Sequence, residues 1–372
     1  MTTRRTFLAG GAALFGGAAL APSLLARSSQ DVEPAAKALD VLVLGGTGFI
    51  GPHQIGRLLA RGHRVTMFNR GRRSGMYGDR VEELQGDRDA NVGEGLKALH
   101  GGRRWDAVID NSGYVPRHIR DSAELLAERC GRYLYTSTVA VYDYERAPLV
   151  DGAHVAGRDS ALYAAPEPAT EQVDGETYGP LKAEGDRIVR EIYGDRATCV
   201  RPTYIVGPGD TTDRFTYWVE RLRRGGDVVC PAGPDRFLEW IDVRDLCNFM
   251  VKLIEDGTPG AFNGVGPATP MTNEEVMLGL RAFASAPTRL HWPTPEVLEE
   301  LRFNTPMCDP FGPNHRTDAG PAVAAGLEYR SLADTVRDTH EWWTEQSEER
   351  RGRARGWPSE ELEAKVVERA RG

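Results

Sequence analysis

Apolar residues near the start of the chain first form a continuous run and then recur at helical spacing. Val41–Leu44 is a run of four branched residues, which predicts a strand buried on both faces. After a glycine-rich turn, Ile55, Leu58 and Leu59 share one face of a predicted helix, and arginines lie on the other face. Comparable apolar runs begin near residues 63, 105, 133, 197 and 262 and alternate with helical patterns. This alternation predicts an α/β fold with a doubly wound parallel sheet.

Three glycines separate the first predicted strand from the first predicted helix. Gly45 permits a tight turn, Gly48 lets the backbone approach a pyrophosphate, and Gly51 lets helix and strand pack closely. The free N–H groups of the helix N-terminus would then face the phosphates. Strand, glycine turn and helix together are typical of a Rossmann dinucleotide site. The residues of the turn that we expect to contact the cofactor are Gly45, Thr47, Gly48, Phe49, Ile50 and Gly51.

The ends of the second and fourth predicted strands add further cofactor-binding residues. An acidic residue after the second strand would bind the ribose 2′-hydroxyl and select NAD, but here that position is the neutral Asn69. Arg70 follows, with two more arginines close behind, and arginine suits a phosphate by charge and by shape. NADP is therefore the favoured cofactor and NAD the alternative. Asn111, Ser112 and Gly113 should line the cofactor where the fourth strand ends.

Composition narrows the choice of function without identifying one. The chain has 372 residues and a net charge of −8, which argues against an extended nucleic-acid-binding surface. Its five cysteines form no C-x-x-C pair and have no metal-ligand spacing. We therefore expect no metal site and no nucleic-acid partner, and a small molecule as the substrate.

The first 26 residues resemble an export signal rather than part of the fold. Arg4 and Arg5 precede an uncharged stretch from Thr6 to Ala26, which is similar to a twin-arginine signal. An uncleaved membrane anchor is the alternative, although the glycines make this stretch a weak spanning helix. A linker over residues 27–36 would follow. Because this export route carries folded, cofactor-loaded proteins, the resemblance implies a periplasmic or extracytoplasmic protein that retains its cofactor.

Two later motifs bring in catalytic chemistry. The segment from Tyr133 to Tyr142 places Thr138 four residues before Tyr142, and Tyr178 and Lys182 form a Y-x-x-x-K pair on one face of a predicted helix. With the glycine turn, these motifs resemble the extended short-chain dehydrogenase/reductases of the NAD-dependent epimerase/dehydratase family. The similarity covers residues 38–343. It is closest to a branch similar to the chloroplast stem-loop RNA-binding proteins.

The resemblance implies roles for particular residues. Tyr178 would be the acid or base, with its pKa lowered by the Lys182 ammonium and the nicotinamide. Lys182 would also hold the nicotinamide ribose, Thr138 would donate to the substrate oxygen, and Asp87 would meet the adenine. The implied reaction is hydride transfer at a secondary alcohol or ketone of a sugar-like substrate. The alternatives are a net NADP-dependent reductase or dehydrogenase and a non-catalytic nucleotide- or RNA-binding relative.

The substrate side departs from the family pattern. Nucleotide-sugar epimerases usually carry an asparagine three residues after the strand arginine, and Tyr204 stands in that place here. A UDP-sugar is therefore in doubt, although three arginines could still bind an anionic substrate: Arg214, Arg236 and Arg244. We expect a Rossmann domain over residues 37–203 and a mainly substrate-binding lobe with late Rossmann elements over 204–343. A charged tail that is exposed or disordered should follow over 344–372, and relatives suggest a homodimer through a helix pair.

Overall fold

A computed structural model describes residues 32–167 and 169–371. Seven parallel strands form its central sheet, in the order β12-β8-β5-β4-β1-β2-β3. The strands are β1 (Asp40–Leu44), β2 (Arg64–Asn69), β3 (Glu82–Gln85), β4 (Trp105–Asp110), β5 (Cys130–Thr136), β6 (Leu149–Val150), β7 (Ala153–Ala156), β8 (Ala197–Pro202), β9 (Tyr204–Val206), β10 (Gly226–Val229), β11 (Trp240–Asp242), β12 (Gly260–Gly264), β13 (Thr288–His291) and β14 (His315–Thr317). The predicted doubly wound parallel sheet is confirmed.

Helices cover both faces of the sheet and build a smaller lobe. They are α1 (Ile50–Ala60), α2 (Pro116–Leu126), α3 (Tyr178–Tyr193), α4 (Arg214–Arg224), α5 (Val243–Asp256), α6 (Asn273–Arg281), α7 (Pro295–Glu300), α8 (Gly320–Ala324), α9 (Leu332–Thr344), α10 (Glu348–Arg351) and α11 (Glu360–Arg371). Helices α1 and α5 pack together on one side, and α2 packs against α3 on the other. This arrangement follows from the central strand, which has to be covered on both faces.

Strand β1 supplies residues to both hydrophobic cores. Val41 and Val43 pack with Ile55 of α1, whereas Leu42 and Leu44 lie in the core under α2 and α3. These four residues are fully buried, because successive side chains of a strand point to opposite faces and both faces of the sheet are covered. The continuous apolar run at the start of the chain therefore reflects its place at the centre of the sheet.

The smaller lobe is built around helix α4. Trp218 of α4 is buried among side chains from α6 and α9, and β10 pairs with β13 beside them. Strand β9 pairs with β11 and connects this lobe to the central sheet. The segment 143–177 contains β6 and β7, and β7 pairs with β14 from much later in the chain.

The C-terminal tail forms helices, as one of the two predicted alternatives has it, but the expected exposure is wrong for one face of α11. Helix α11 buries Val366 completely, in a cluster with Val229, Leu298 and Phe303. Near them, Glu363 accepts a 2.7 Å hydrogen bond from the buried Arg221. The many charged residues of the tail made this narrow apolar face hard to recognise in the sequence. The face is nevertheless sufficient to hold α11 against the smaller lobe.

The predicted signal, residues 1–26, lies outside the described part of the chain. Within the described residues, every helix is too short or too polar to span a membrane.

Candidate functional site

The turn after β1 has the geometry that a dinucleotide site requires. Gly45 and Gly46 adopt φ values of +106° and +98°, which L side chains rarely reach. A Cβ on Gly51 would lie 2.1 Å from the carbonyl oxygen of Gly46, so only glycine fits there. A Cβ on Gly48 would meet no atom within 4 Å, which leaves open space above that backbone. Helix α1 begins at Ile50, after Phe49, and its first turn has no side-chain cap, so its N–H groups remain available to an anion.

Two side chains that follow β2 hold this turn in place. The Tyr77 hydroxyl donates a 2.5 Å hydrogen bond to the carbonyl of Gly46. The guanidinium of Arg73 donates a 2.8 Å hydrogen bond to the carbonyl of Thr47. Because both bonds engage carbonyl groups, the N–H groups of the turn are left for a ligand. The sequence analysis did not predict the role of Tyr77, because Tyr77 lies 31 residues from Gly46 and no local pattern indicates their contact.

The end of β2 offers polar groups to a ribose. The Asn69 side-chain carbonyl accepts a 2.5 Å hydrogen bond from the Gly71 N–H, which caps the turn. The Asn69 Nδ2 is buried without a hydrogen-bond partner in the described structure, and Arg70 beside it is exposed. An unpartnered buried amide and an open guanidinium fit the ribose end of a nicotinamide dinucleotide. Asp87, after β3, is half-buried, and its carboxylate accepts a 2.9 Å hydrogen bond from the Asp89 N–H.

A buried ion pair lies below the end of β4. Arg88 donates to both carboxylate oxygens of Asp110, at 2.6 and 2.9 Å, and also to the hydroxyls of Ser112 and Ser122. Asp110 is 0% exposed and also accepts a hydrogen bond from the Tyr133 hydroxyl. Burial alone would raise the pKa of Asp110, but the charge and hydrogen bonds of Arg88 hold it below 3.8.

The residues after β4 lie beside the glycine turn. A Cβ on Gly45 would come within 3.5 Å of the Cβ of Ser112. The Asn111 amide donates to Gln54 of α1 and its carbonyl accepts from Thr136, both at 2.7 Å, so its orientation is fixed. Gly113 allows close packing, because a Cβ there would lie 2.8 Å from the ring of Tyr135.

Thr138 and Tyr178 meet at the carboxyl edge of the sheet. The Thr138 side chain lies close enough to Tyr178 to lower the pKa of that phenol, and the Thr138 hydroxyl oxygen accepts a 3.2 Å hydrogen bond from the Ala140 N–H. Gly179 makes this approach feasible, because a Cβ there would lie 2.3 Å from the carbonyl oxygen of Ala140. The Tyr114 ring, at 47% residue exposure, lies beside Tyr178 with its centroid 6.4 Å away.

Lys182 lies one turn further along α3, and its ammonium binds backbone carbonyls. It donates to Gly113 at 2.7 Å and to Thr136 at 2.6 Å, and it lies 4.2 Å from the centroid of the Tyr135 ring. The residue is only 3% exposed. Burial lowers the pKa of Lys182 to about 8, against the opposing charges of Asp110 and Asp186.

The expected lowering of the Tyr178 pKa is wrong for the protein alone. Burial and the neighbouring Tyr114 raise the pKa of Tyr178 to about 12, although the Thr138 hydrogen bond and the charge of Arg214 oppose this rise. Lys182 is not among the groups that shift it, because its ammonium points to the two carbonyls. The helical spacing predicted that Tyr178 and Lys182 share a face of α3. In the folded protein the buried Lys182 ammonium instead binds the backbone carbonyls.

The three arginines proposed for an anionic substrate differ in their surroundings. Arg244 is paired with Asp242 and Asp338, and Arg236 donates to the carbonyl of Gly312. Arg214 has no acidic partner among the described residues and lies near Tyr178. Among the His, Cys, Asp and Glu side chains of the described residues, no group is arranged to hold a metal ion.

Comparison with known proteins agrees with this geometry. The model of the NAD dependent epimerase/dehydratase family matches residues 41–264. The chain is 28% identical over 302 residues to the epimerase family protein SDR39U1 of Bos taurus, covering 78% of this chain and 95% of that protein. It is 23% identical to the chloroplast stem-loop binding protein of 41 kDa b of Arabidopsis thaliana, covering 58% of this chain and 54% of that protein. It is 29% identical to a 3 beta-hydroxysteroid dehydrogenase/Delta 5→4-isomerase of Mycobacterium tuberculosis, covering 62% and 65%.

Solved structures show the same fold. The Bordetella bronchiseptica enzyme WbmG, in complex with NAD and UDP, aligns with a TM-score of 0.61 at 16% identity, covering 83% of this chain and 95% of that one. The UDP-glucuronic acid 4-epimerase of Bacillus cereus, in complex with NAD, aligns with a TM-score of 0.58 at 14% identity, covering 82% and 98%. At these identities the likeness concerns the fold alone.

Proposed function

Because the chain belongs to the NAD-dependent epimerase/dehydratase family, we propose that it transfers hydride at a secondary alcohol or ketone of a sugar-like substrate. The observation that carries this proposal is the close packing of the start of α3, which bears Tyr178, against the turn after Thr138, at the sheet edge that also presents the glycine turn. An acid–base phenol beside a dinucleotide site is the arrangement that alcohol oxidation and ketone reduction need.

Each catalytic side chain has a role that follows from its contacts. The nicotinamide, when bound, supplies the hydride acceptor or donor. Tyr178 takes the proton of the substrate hydroxyl or returns it, and Thr138 donates to the same oxygen and stabilises its developing charge. An ammonium has three N–H groups, and two of those on Lys182 bind carbonyls. The third is left for a ribose hydroxyl of the cofactor.

The end of β2 supports NADP over NAD. Asn69 brings no carboxylate to the ribose, and its unpartnered Nδ2 would donate a hydrogen bond to an oxygen atom of the cofactor. Arg70 is exposed beside it and would pair with a 2′-phosphate. NAD remains the alternative, since both solved relatives described above contain it.

The exposed Tyr114 ring supports a carbohydrate-like substrate. Its face lies beside the reacting phenol, where a sugar ring could pack against it. We also propose that the protein is exported by the twin-arginine route and retains its cofactor. In that setting a redox-neutral epimerase or dehydratase, which regenerates its cofactor in each turnover, is favoured.

A net dehydrogenase or reductase is the second candidate, and the similarity to a hydroxysteroid dehydrogenase supports it. The chemistry at Tyr178 would be the same, but the cofactor would leave after each turnover. Release and identification of any nicotinamide from the purified protein separates the two. Tightly held cofactor supports the first candidate, and an empty site that binds added NADPH supports the second.

Replacement of Tyr178 by phenylalanine tests the catalytic assignment. The variant should keep its cofactor and fold but lose turnover by about 10²–10⁴-fold, which is the usual contribution of a positioned acid–base group. Turnover would be followed by proton NMR of a panel of aldoses, ketoses, uronic acids and glycosides, because the sugar spectrum reports epimerisation and dehydration as well as net oxidation or reduction. Tyr193→Phe is the matched control, because it removes a phenol hydroxyl from the far end of the same helix. Full activity of Tyr178→Phe, or no nicotinamide binding at all, would refute the proposal.

A further inference from the structure

Arg214 is a half-buried cation without an ion-pair partner among the described residues. It is the first residue of α4, and its Nε donates a 2.9 Å hydrogen bond to the hydroxyl of Thr212. Its guanidinium lies over the Tyr204 ring, 4.9 Å from the centroid. These contacts use one N–H and one face of the guanidinium, so the terminal amino groups remain available.

The surroundings of Arg214 hold it in this orientation. The Thr212 hydroxyl donates a 2.6 Å hydrogen bond to Asp210, which is 1% exposed. Asp213, in the left-handed conformation before the helix, is bound by Arg350. An arginine fixed at its base and stacked on an aromatic ring loses little entropy when it binds a ligand.

Arg214 lies on the substrate side of the catalytic tyrosine. Tyr204, the ring below it, begins β9, the strand that connects the central sheet to the smaller lobe. Arg214 is also near enough to Tyr178 for its charge to lower the pKa of that phenol slightly. A group bound by Arg214 would therefore belong to the molecule that reacts at Tyr178.

We propose that Arg214 binds an oxyanion, a carboxylate or a phosphate, carried by the substrate. The planar guanidinium offers paired N–H donors that match two oxygens of either group. A neutral sugar would leave a partly desolvated cation uncompensated, whereas an oxyanion would neutralise it. The inference rests on the proposed function for the position of the substrate, but anion binding itself needs no hydride transfer.

Three sugars that differ only at C6 test this inference: glucose, glucuronate and glucose 6-phosphate. Calorimetric titration would use the full-length protein loaded with its nicotinamide cofactor. At least one anionic sugar should bind roughly tenfold to a hundredfold more tightly than glucose, the range for a hydrogen-bonded charge. Stronger binding of glucuronate indicates a carboxylate, and stronger binding of glucose 6-phosphate indicates a phosphate.

Variants assign the preference to Arg214. Arg214→Met should abolish the preference, and Arg214→Lys should keep part of it, because lysine retains the charge without the paired donors. Arg224→Met removes the same charge from an exposed position of the same helix and should leave the preference unchanged. Equal affinity for the three sugars, no measurable binding of any of them, or an unchanged preference in Arg214→Met would overturn the inference.

Repeating the titrations in the Tyr178→Phe variant tests anion binding separately from the proposed catalytic function. In Tyr178→Phe the preference for the anionic sugar should persist, because binding does not require proton transfer. Anion binding that persists while Tyr178→Phe keeps full turnover would refute the catalytic assignment and leave the anion site standing. Loss of the anion preference with normal loss of turnover in Tyr178→Phe would refute only the anion site.

Discussion

Replacing Arg88 with methionine should destabilise the protein by about 3–5 kcal/mol at neutral pH, the usual cost of breaking a buried ion pair from one side. Methionine keeps most of the apolar volume but removes both of the guanidinium donors that bind Asp110. The carboxylate would stay 0% exposed, with hydrogen bonds from the Tyr133 hydroxyl and the Ser112 N–H as its remaining partners. Two neutral donors do not compensate a buried charge, so the variant must protonate Asp110 or leave it uncompensated.

The pH dependence of this loss has a definite sign. In the wild type the folded pKa of Asp110 lies below 3.8, so the ion pair stabilises the fold above that pH and is lost as the pH falls through the folded pKa. In Arg88→Met, burial dominates and raises the folded pKa above its unfolded value. The variant therefore loses stability as the pH rises from about 4 towards that raised pKa. The difference between the two proteins should reach its maximum at neutral pH and decrease as the pH falls below about 4.

Urea unfolding at a series of pH values measures this difference. Arg120→Met is the matched control, because Arg120 pairs with Glu124 and Glu191 on the exposed face of α2. Exposed pairs contribute about 0–1 kcal/mol, so the control should change the free energy of unfolding by no more than that. A loss in Arg88→Met that is below 1 kcal/mol, or that does not change with pH, would refute the assignment of Asp110 as a charge compensated by Arg88.

Two further predictions concern the cofactor turn and the buried lysine. Gly51→Ala should abolish cofactor retention, because its Cβ would lie 2.1 Å from the Gly46 carbonyl oxygen. Gly102→Ala is the control and should retain the cofactor, because its Cβ would meet no atom within 4 Å. The amount of nicotinamide bound to each purified variant measures the effect. The folded pKa of Lys182 is about 8, whereas the ordinary pKa of a lysine is 10.5, so between these values only the unfolded chain holds the proton. The stability of the wild type relative to Lys182→Met should therefore rise by about 3 kcal/mol as the pH increases through that range. Urea unfolding checks this, and a flat difference between pH 8 and 10.5 contradicts it.

The parts of the fold that the sequence predicted are those that local chemistry determines. The run Val41–Leu44 had to be a central strand because no polar residue interrupts it, and the glycines of the turn serve backbone needs that no other residue meets. The fold prediction is confirmed for this reason. The assignments of Thr138, Tyr178 and Lys182 to catalysis remain predictions.

Contacts between distant positions were not predictable from the same patterns. Arg88 and Asp110 are 22 residues apart, and nothing in either local sequence indicates that they pair below the cofactor edge. The tail was misjudged for a related reason. Its many charged residues suggested exposure to solvent. In the structure, however, Glu363 accepts a hydrogen bond from Arg221, which lies 142 residues earlier in the chain. Helical spacing located Lys182 on the same face as Tyr178 but could not foresee that burial turns its ammonium towards backbone carbonyls.

The titration behaviour of the site links its chemistry to cofactor occupancy. With a pKa near 12, Tyr178 in the protein alone is almost entirely protonated at neutral pH and is a poor base. Lys182 does not correct this, since its ammonium is committed elsewhere, and Arg214 corrects it only in part. Additional positive charge must therefore enter the site before Tyr178 can accept a proton, and an oxidised nicotinamide is the positive group that the proposed reaction brings. A site of this kind works when its cofactor is in place, which agrees with the proposal that the cofactor is retained.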